Sequence, residues 1–203
     1  MVEFRPFPEA FALTRRSELF DRPPRWLRVR HSPGLPIPPH TASWLFETGS
    51  LTRRLRTLWG EEFRVRVLSQ GWSRPFADEV KALGLSPGRR ALVREVALQR
   101  GDRPLVLARS VIPARTLKGV DRRLAHLGTR PLGEILFADP RLERKRLELA
   151  EIGTGAWQEA LRGALDLSAN AWGRRSLYTL GPGHTLLVAE FFLPEFFIPD
   201  RAP

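Results

Sequence analysis

Residues 91–111, ALVREVALQRGDRPLVLARSV, alternate apolar and polar positions in two runs flanking Gly101-Asp102. Period-two alternation on either side of a Gly-Asp pair predicts a β-hairpin. Leu92, Val96 and Leu98 hold one register of the first arm, and Leu105, Leu107 and Val111 one register of the second. An arginine falls inside each apolar register, Arg94 and Arg109. A two-residue turn pairs positions whose numbers add to 203, the length of this chain, so Arg94 and Arg109 are expected to face each other with β-carbons roughly 5 Å apart. Like charges opposed there are destabilising, and a desolvated guanidinium without a partner costs several kcal/mol. Such a pair calls for an anion, either a buried glutamate or a ligand carboxylate, and two facing arginines favour the ligand.

The rest of the pattern mixes the two periods. From Thr41, TASWLFETG reads as a helix, and Ser50 caps a second, LTRRLRTLWG, with Leu51, Leu55 and Leu58 on a core-facing stripe. Phe63, Val65 and Val67 alternate with Arg64 and Arg66 as a strand with a wet outer face. PFADEVKALGL is a short helix closed by Gly84, and Thr129-Arg130-Pro131 starts another through LGEILF. The free amides at the starts of such helices, near Leu51 and Leu132, favour anions, although most such ends are merely capped or hydrated. RLERKRLELAEIG fits either strand or helix, while Trp157, Leu161, Ala164 and Leu165 sit at helical spacing. A second hairpin closes the chain, WGRRSLYTL and TLLVAEFFLP around GPGH. In its last strand Glu190 shares a face with Leu186, Val188 and Phe192, a carboxylate in an apolar register. It is either the partner of a buried arginine, with Arg174 and Arg175 on the neighbouring strand as further candidates, or a group aimed at a ligand.

Residues 1–40 carry PPRW and PGLPIPP without sustained periodicity and read as a proline-rich arm, leaving 41–203 as one domain. The apolar fraction of 42% supports a packed core. The absence of cysteine excludes disulfides and thiolate chemistry, and none of the four histidines has ligand-like spacing, so no metal is expected. The N-terminus is unlike a signal peptide and no run of about 18 apolar residues occurs, so the chain reads as a cytoplasmic protein. Its formal charge of +11 is dispersed and carried almost wholly by arginine, a poor footprint for nucleic acid.

The segments LTRRL (51–55), LVREV (92–96), LARSVIP (107–113), RPLGEILF (130–137), EIG (151–153), WGRRS (172–176) and AEFFLP (189–194), in this order, resemble the chorismate lyase family. The resemblance implies an α+β fold in which an antiparallel sheet flanked by helices encloses a ligand cavity. It also implies a cofactor-free cleavage of chorismate to 4-hydroxybenzoate and pyruvate, the opening step of ubiquinone ring formation; the chain is expected to be a monomer. It assigns the ring carboxylate to Arg94 and the main-chain amides of Leu51 and Leu132, the 4-hydroxyl to Glu190, and the enolpyruvyl side to Arg109. On that assignment Arg109→Ala would lower kcat strongly. The proline-rich leader and an insertion around 154–168 depart from the family pattern, and Leu51 stands where methionine is frequent. The effector-binding domains of some transcription regulators share this fold, which leaves a non-catalytic sensor of a small anion as the alternative.

Overall fold

A computed structural model describes residues 16–29, 36–119, 124, 127–165, 167 and 169–198. Its centre is the predicted hairpin, β3 (Ala91–Arg100) and β4 (Arg103–Pro113), joined at Gly101-Asp102 with Gly101 at φ 58°. Both arms are buried on both faces rather than half-buried, because the hairpin lies inside a seven-stranded sheet. The remaining strands are β1 (Leu27–Arg28), β2 (Phe63–Ser73), β5 (Glu143–Ile152), β6 (Ala171–Thr179) and β7 (Thr185–Phe192). Their order is β1-β5-β6-β7-β4-β3-β2, and every pairing is antiparallel. The segment that fits either period, 141–153, is therefore mainly strand, since its polar residues find partners across β6.

Helices α1 (Pro39–Leu45), α2 (Leu51–Trp59) and α5 (Leu132–Ala138) cover one face. The second face lies under α3 (Ala77–Leu83), α6 (Glu159–Ala164) and residues 16–26 of the leader, while α4 (Ala114–Gly119) follows β4. Local chemistry sets these boundaries. Ser50 Oγ accepts from the Arg53 amide at the start of α2, and Gly84 ends α3 in the left-handed region at φ 61°. Two expectations fail here. Leu58 is 59% exposed because α2 rests on the sheet by its first turns, where Leu51, Thr52 and Leu55 are buried. The helix expected over the 154–168 insertion is only six residues long, and Trp157 precedes it. That ring is nonetheless fully buried, stacked on Phe20 of the leader at 4.7 Å.

The register of the central hairpin is the third departure. Arg100 pairs with Arg103 and Gln99 with Pro104, as the turn dictates, but Leu98 pairs with Val106, which leaves Leu105 as an extra residue. The bulge lies beside Pro104, which has no N–H for the ladder. Beyond it each pairing is displaced by one, so Arg94 faces Ser110 and Arg109 faces Glu95. A one-residue slip reverses every side chain. Arg94 and Arg109 therefore stand on opposite faces of the sheet, and the expected facing pair is not formed.

Candidate functional site

The face under α2 and α5 encloses a small cavity of about 60 Å³. Its floor comes from alternate residues of the strands, Val96 and Leu98 on β3, Ala108 and Ser110 on β4, Val188 and Glu190 on β7, and its roof from the first turns of α2 and α5. The two first turns are held close by Gly133, where a β-carbon would come within 3.2 Å of both Ser50 Oγ and Thr52 Oγ1. Leu51 and Leu132, the first residues of the two helices, both line the cavity, and first-turn amides have no intrahelical acceptor.

Arg94 enters from β3 and is 3% exposed. Its Nη1 donates to Gln70 Oε1 at 2.6 Å and its Nη2 to the Arg130 carbonyl at 3.3 Å. Among the described residues no carboxylate forms an ion pair with it, and burial alone holds its pKa below the ordinary arginine value. A guanidinium remains protonated even so. The cavity thus has a buried cation at one end that no carboxylate of the described residues neutralises.

The other end carries Glu190. It lies opposite Arg174 across β6 and β7, and the Arg174 Nε donates to its Oε2. Arg174 also donates from Nη1 to the carbonyls of Trp44 and Glu47, which anchors the end of α1. Burial works to lower the Arg174 pKa, and the charge and hydrogen bond of Glu190, with the charges of Tyr178 and Glu47, together outweigh it and leave the value raised. Of the partners open from sequence, Arg174 takes Glu190, while Arg175 on the second face binds Glu148 and Asp78. Glu190 and Arg94 are two strands apart and two residues apart along the sheet, about 10 Å across and about 7 Å along. With side chains reaching inward, that interval suits a six-membered ring bearing polar groups at para positions.

Arg109 does not line this cavity. On the second face it donates from Nε and Nη2 to the two oxygens of Glu79, and from Nη1 to Glu95 Oε1 and the Arg16 carbonyl. Desolvation would lower its pKa, but Glu79 and Glu95 hold it above the ordinary value. The buried-glutamate explanation therefore accounts for Arg109, and the ligand explanation remains for Arg94. Glu79 ends α3's first turn and Glu95 is next to Arg94 in sequence. Neither stood out in a linear pattern, because only the bulge turns Glu95 toward Arg109.

Thr52, Ser110, Arg174 and Tyr178 also line the cavity. Ser110 is legible in retrospect as the hydroxyl residue after Arg109 in the apolar run; Tyr178 carried no signal. Among the described residues no group of three or more His, Asp or Glu could hold a metal ion, and no helix is long and apolar enough to cross a membrane.

Glu47 joins the cover to the site. Its carboxylate accepts from the Gly49 amide at 2.8 Å and from Arg54 at 3.1 Å, and the amide bond foremost holds its pKa below 4.5. A lowered carboxylate pKa contributes stability above the unfolded value and loses it as pH falls through the folded one. Glu47→Gln is thus expected to be less stable than the parent at pH 7, with the gap closing below about pH 4. Denaturant titrations at the two pH values check this, and a gap independent of pH would refute it.

A family model described as chorismate lyase matches residues 26–202, beginning inside the proline-rich leader. A probable chorismate pyruvate-lyase of Methylococcus capsulatus is 56% identical over 161 residues, covering 79% of this chain and 99% of that protein. Others so described from Azoarcus sp. and Pseudomonas aeruginosa are 45% and 41% identical, covering 80% and 84% of this chain and 92% and 91% of theirs. Among solved structures, a GntR-family transcriptional regulator from Bacillus cereus aligns with a TM-score of 0.53 at 13% identity, covering 70% of this chain and 99% of that one. That likeness shows a shared fold. The match across most of the chain and the identity to these relatives show that the chain belongs to the chorismate lyase family.

Proposed function

We propose that this protein cleaves chorismate to 4-hydroxybenzoate and pyruvate, in the cytoplasm and as the opening step of ubiquinone ring formation. The observation that carries the reading is Arg94, a buried cation facing a cavity in which no carboxylate of the described residues meets it. Its guanidinium binds the ring carboxylate, helped by the amides of Leu51 and Leu132, and Glu190 accepts a hydrogen bond from the 4-hydroxyl. The C3–O bond breaks with its electron pair going to the departing enolpyruvate, and the C4 hydrogen leaves as a proton, which aromatises the ring. Protonation of the enolpyruvate at its methylene carbon yields pyruvate. The protein's tasks are to hold the ring, exclude water and orient the bonds that break. Arg109 takes no part in this scheme, since the sheet separates it from the cavity.

Incubating the purified protein with chorismate, then separating products by chromatography and assaying pyruvate, tests the proposal. Equimolar 4-hydroxybenzoate and pyruvate are expected. Saturable binding without turnover would favour the small-anion sensor instead, and a different aromatic isomer would displace the assigned geometry. Glu190→Gln keeps the side-chain shape but removes the charge. It is expected to lower kcat/KM about 10- to 100-fold, the range for a hydrogen bond to a charged group.

A further inference from the structure

The proposed substrate carries two carboxylates, and Arg94 accounts for only the one on the ring. The group at C3 stands beside the 4-hydroxyl, so its carboxylate must lie near the Glu190 end of the cavity. Tyr178 lines the cavity from β6, the strand beside that of Glu190. Its hydroxyl oxygen accepts from Arg144 Nη2 at 3.0 Å and Nε at 3.3 Å, and Arg144 Nη1 donates to the Glu47 carbonyl at 2.9 Å. Arg174, which holds Glu190, donates to that same carbonyl. This chain of contacts links the Tyr178 hydroxyl to Glu190 through Arg144, the Glu47 carbonyl and Arg174, although the two residues lie on different strands.

The hydroxyl is half satisfied. It accepts from a guanidinium, and its own proton has no acceptor among the described residues. A donor that accepts from a cation is strengthened by polarisation. Arg144 has no carboxylate partner among the described residues, so the pair presents net positive character at this part of the cavity wall. The ring of Tyr178 is fixed against Phe137 of α5, with centroids 6.1 Å apart, and the residue is 5% exposed.

We infer that Tyr178, backed by Arg144, binds the carboxylate of the enolpyruvyl group and so distinguishes substrate from aromatic product. Tyr178 touches the substrate; Arg144 is a positioning residue that acts through it. The inference rests on the lyase reading and separates from it by experiment. The product lacks the second carboxylate, so losing this contact affects chorismate and 4-hydroxybenzoate differently.

Tyr178→Phe preserves the ring in the core and removes only the donor. It is expected to raise KM for chorismate about 10-fold or more, the effect of losing a hydrogen bond to a charged group. The dissociation constant of 4-hydroxybenzoate, followed by tryptophan fluorescence, is expected to stay within about 2-fold of the parent, well inside one such bond. Arg144→Met should show the same split, with Arg144→Lys in between. An unchanged KM in Tyr178→Phe, or equal losses for chorismate and product, overturns the inference. If the parent releases no pyruvate, the lyase reading fails, and equilibrium binding of the two molecules judges Tyr178: a selective loss for chorismate supports it, an equal loss refutes it.

Discussion

Arg94→Met is expected to abolish most activity while making the ligand-free protein more stable. Arg94 is 3% exposed, and its hydrogen bonds go to neutral oxygens of Gln70 and Arg130. A buried ion without a counterion carries a desolvation penalty of several kcal/mol. Methionine fills a similar volume without that penalty and suits an irregular apolar space. A net gain of about 1 kcal/mol would raise the melting temperature by about 2–4 °C in a chain of this size. The same change removes a two-pronged contact to the ring carboxylate. At about 1.5–3 kcal/mol per charge-assisted bond, kcat/KM should fall by about 10²–10⁴-fold. Melting with and without 4-hydroxybenzoate gives the matching signature: the ligand raises the parent's midpoint and leaves the variant's unchanged. A variant that is destabilised and still binds product would show that Arg94 serves the fold instead.

Arg109→Met should do the reverse. It strands the carboxylates of Glu79 and Glu95, 6% and 0% exposed, without their shared cation. Breaking one partner of a buried ion network costs about 3–5 kcal/mol, a fall of about 10 °C in the melting temperature. The activity of the molecules that remain folded should change by no more than about 3-fold, because the guanidinium is on the far side of the sheet from the cavity. A collapse of kcat at unchanged stability would restore the role on the enolpyruvyl side that the family resemblance gave Arg109. Pairing Arg109→Met with Glu95→Gln should recover part of the loss, since neutralising one stranded carboxylate relieves the uncompensated charge.

The contrast between the two arginines shows what a linear reading can reach. The hairpin, its turn, the Ser50 cap and the Gly84 stop follow from short-range chemistry and appear in the structure. The face each strand residue occupies does not, because a single extra residue at Leu105 changes it for everything beyond. Leu51, Arg94, Leu132 and Glu190 are brought to one cavity from four separate elements. Arg109 looked identical to Arg94 in sequence, an arginine in an apolar register, and differs only in what lies across the sheet. Its two glutamates come from α3 and the neighbouring strand, a conjunction that no periodicity encodes. Tyr178 was invisible for a similar reason: its partner Arg144 comes from the one long segment whose secondary structure stayed ambiguous.

Past the bulge, odd and even residue numbers separate the sheet's two jobs. Even positions of β3, β4 and β7, among them Arg94, Ser110 and Glu190, face the cavity, while odd positions such as Glu95, Arg109 and Phe191 face the leader and α3. Variation in ligand choice and variation in stability can therefore accumulate on interleaved but separate sets of sites. Recombining cavity residues among relatives should be tolerated so long as the parity of each strand is preserved. Insertion or deletion of a single residue between Leu105 and Arg109 would exchange the two sets and forfeit both.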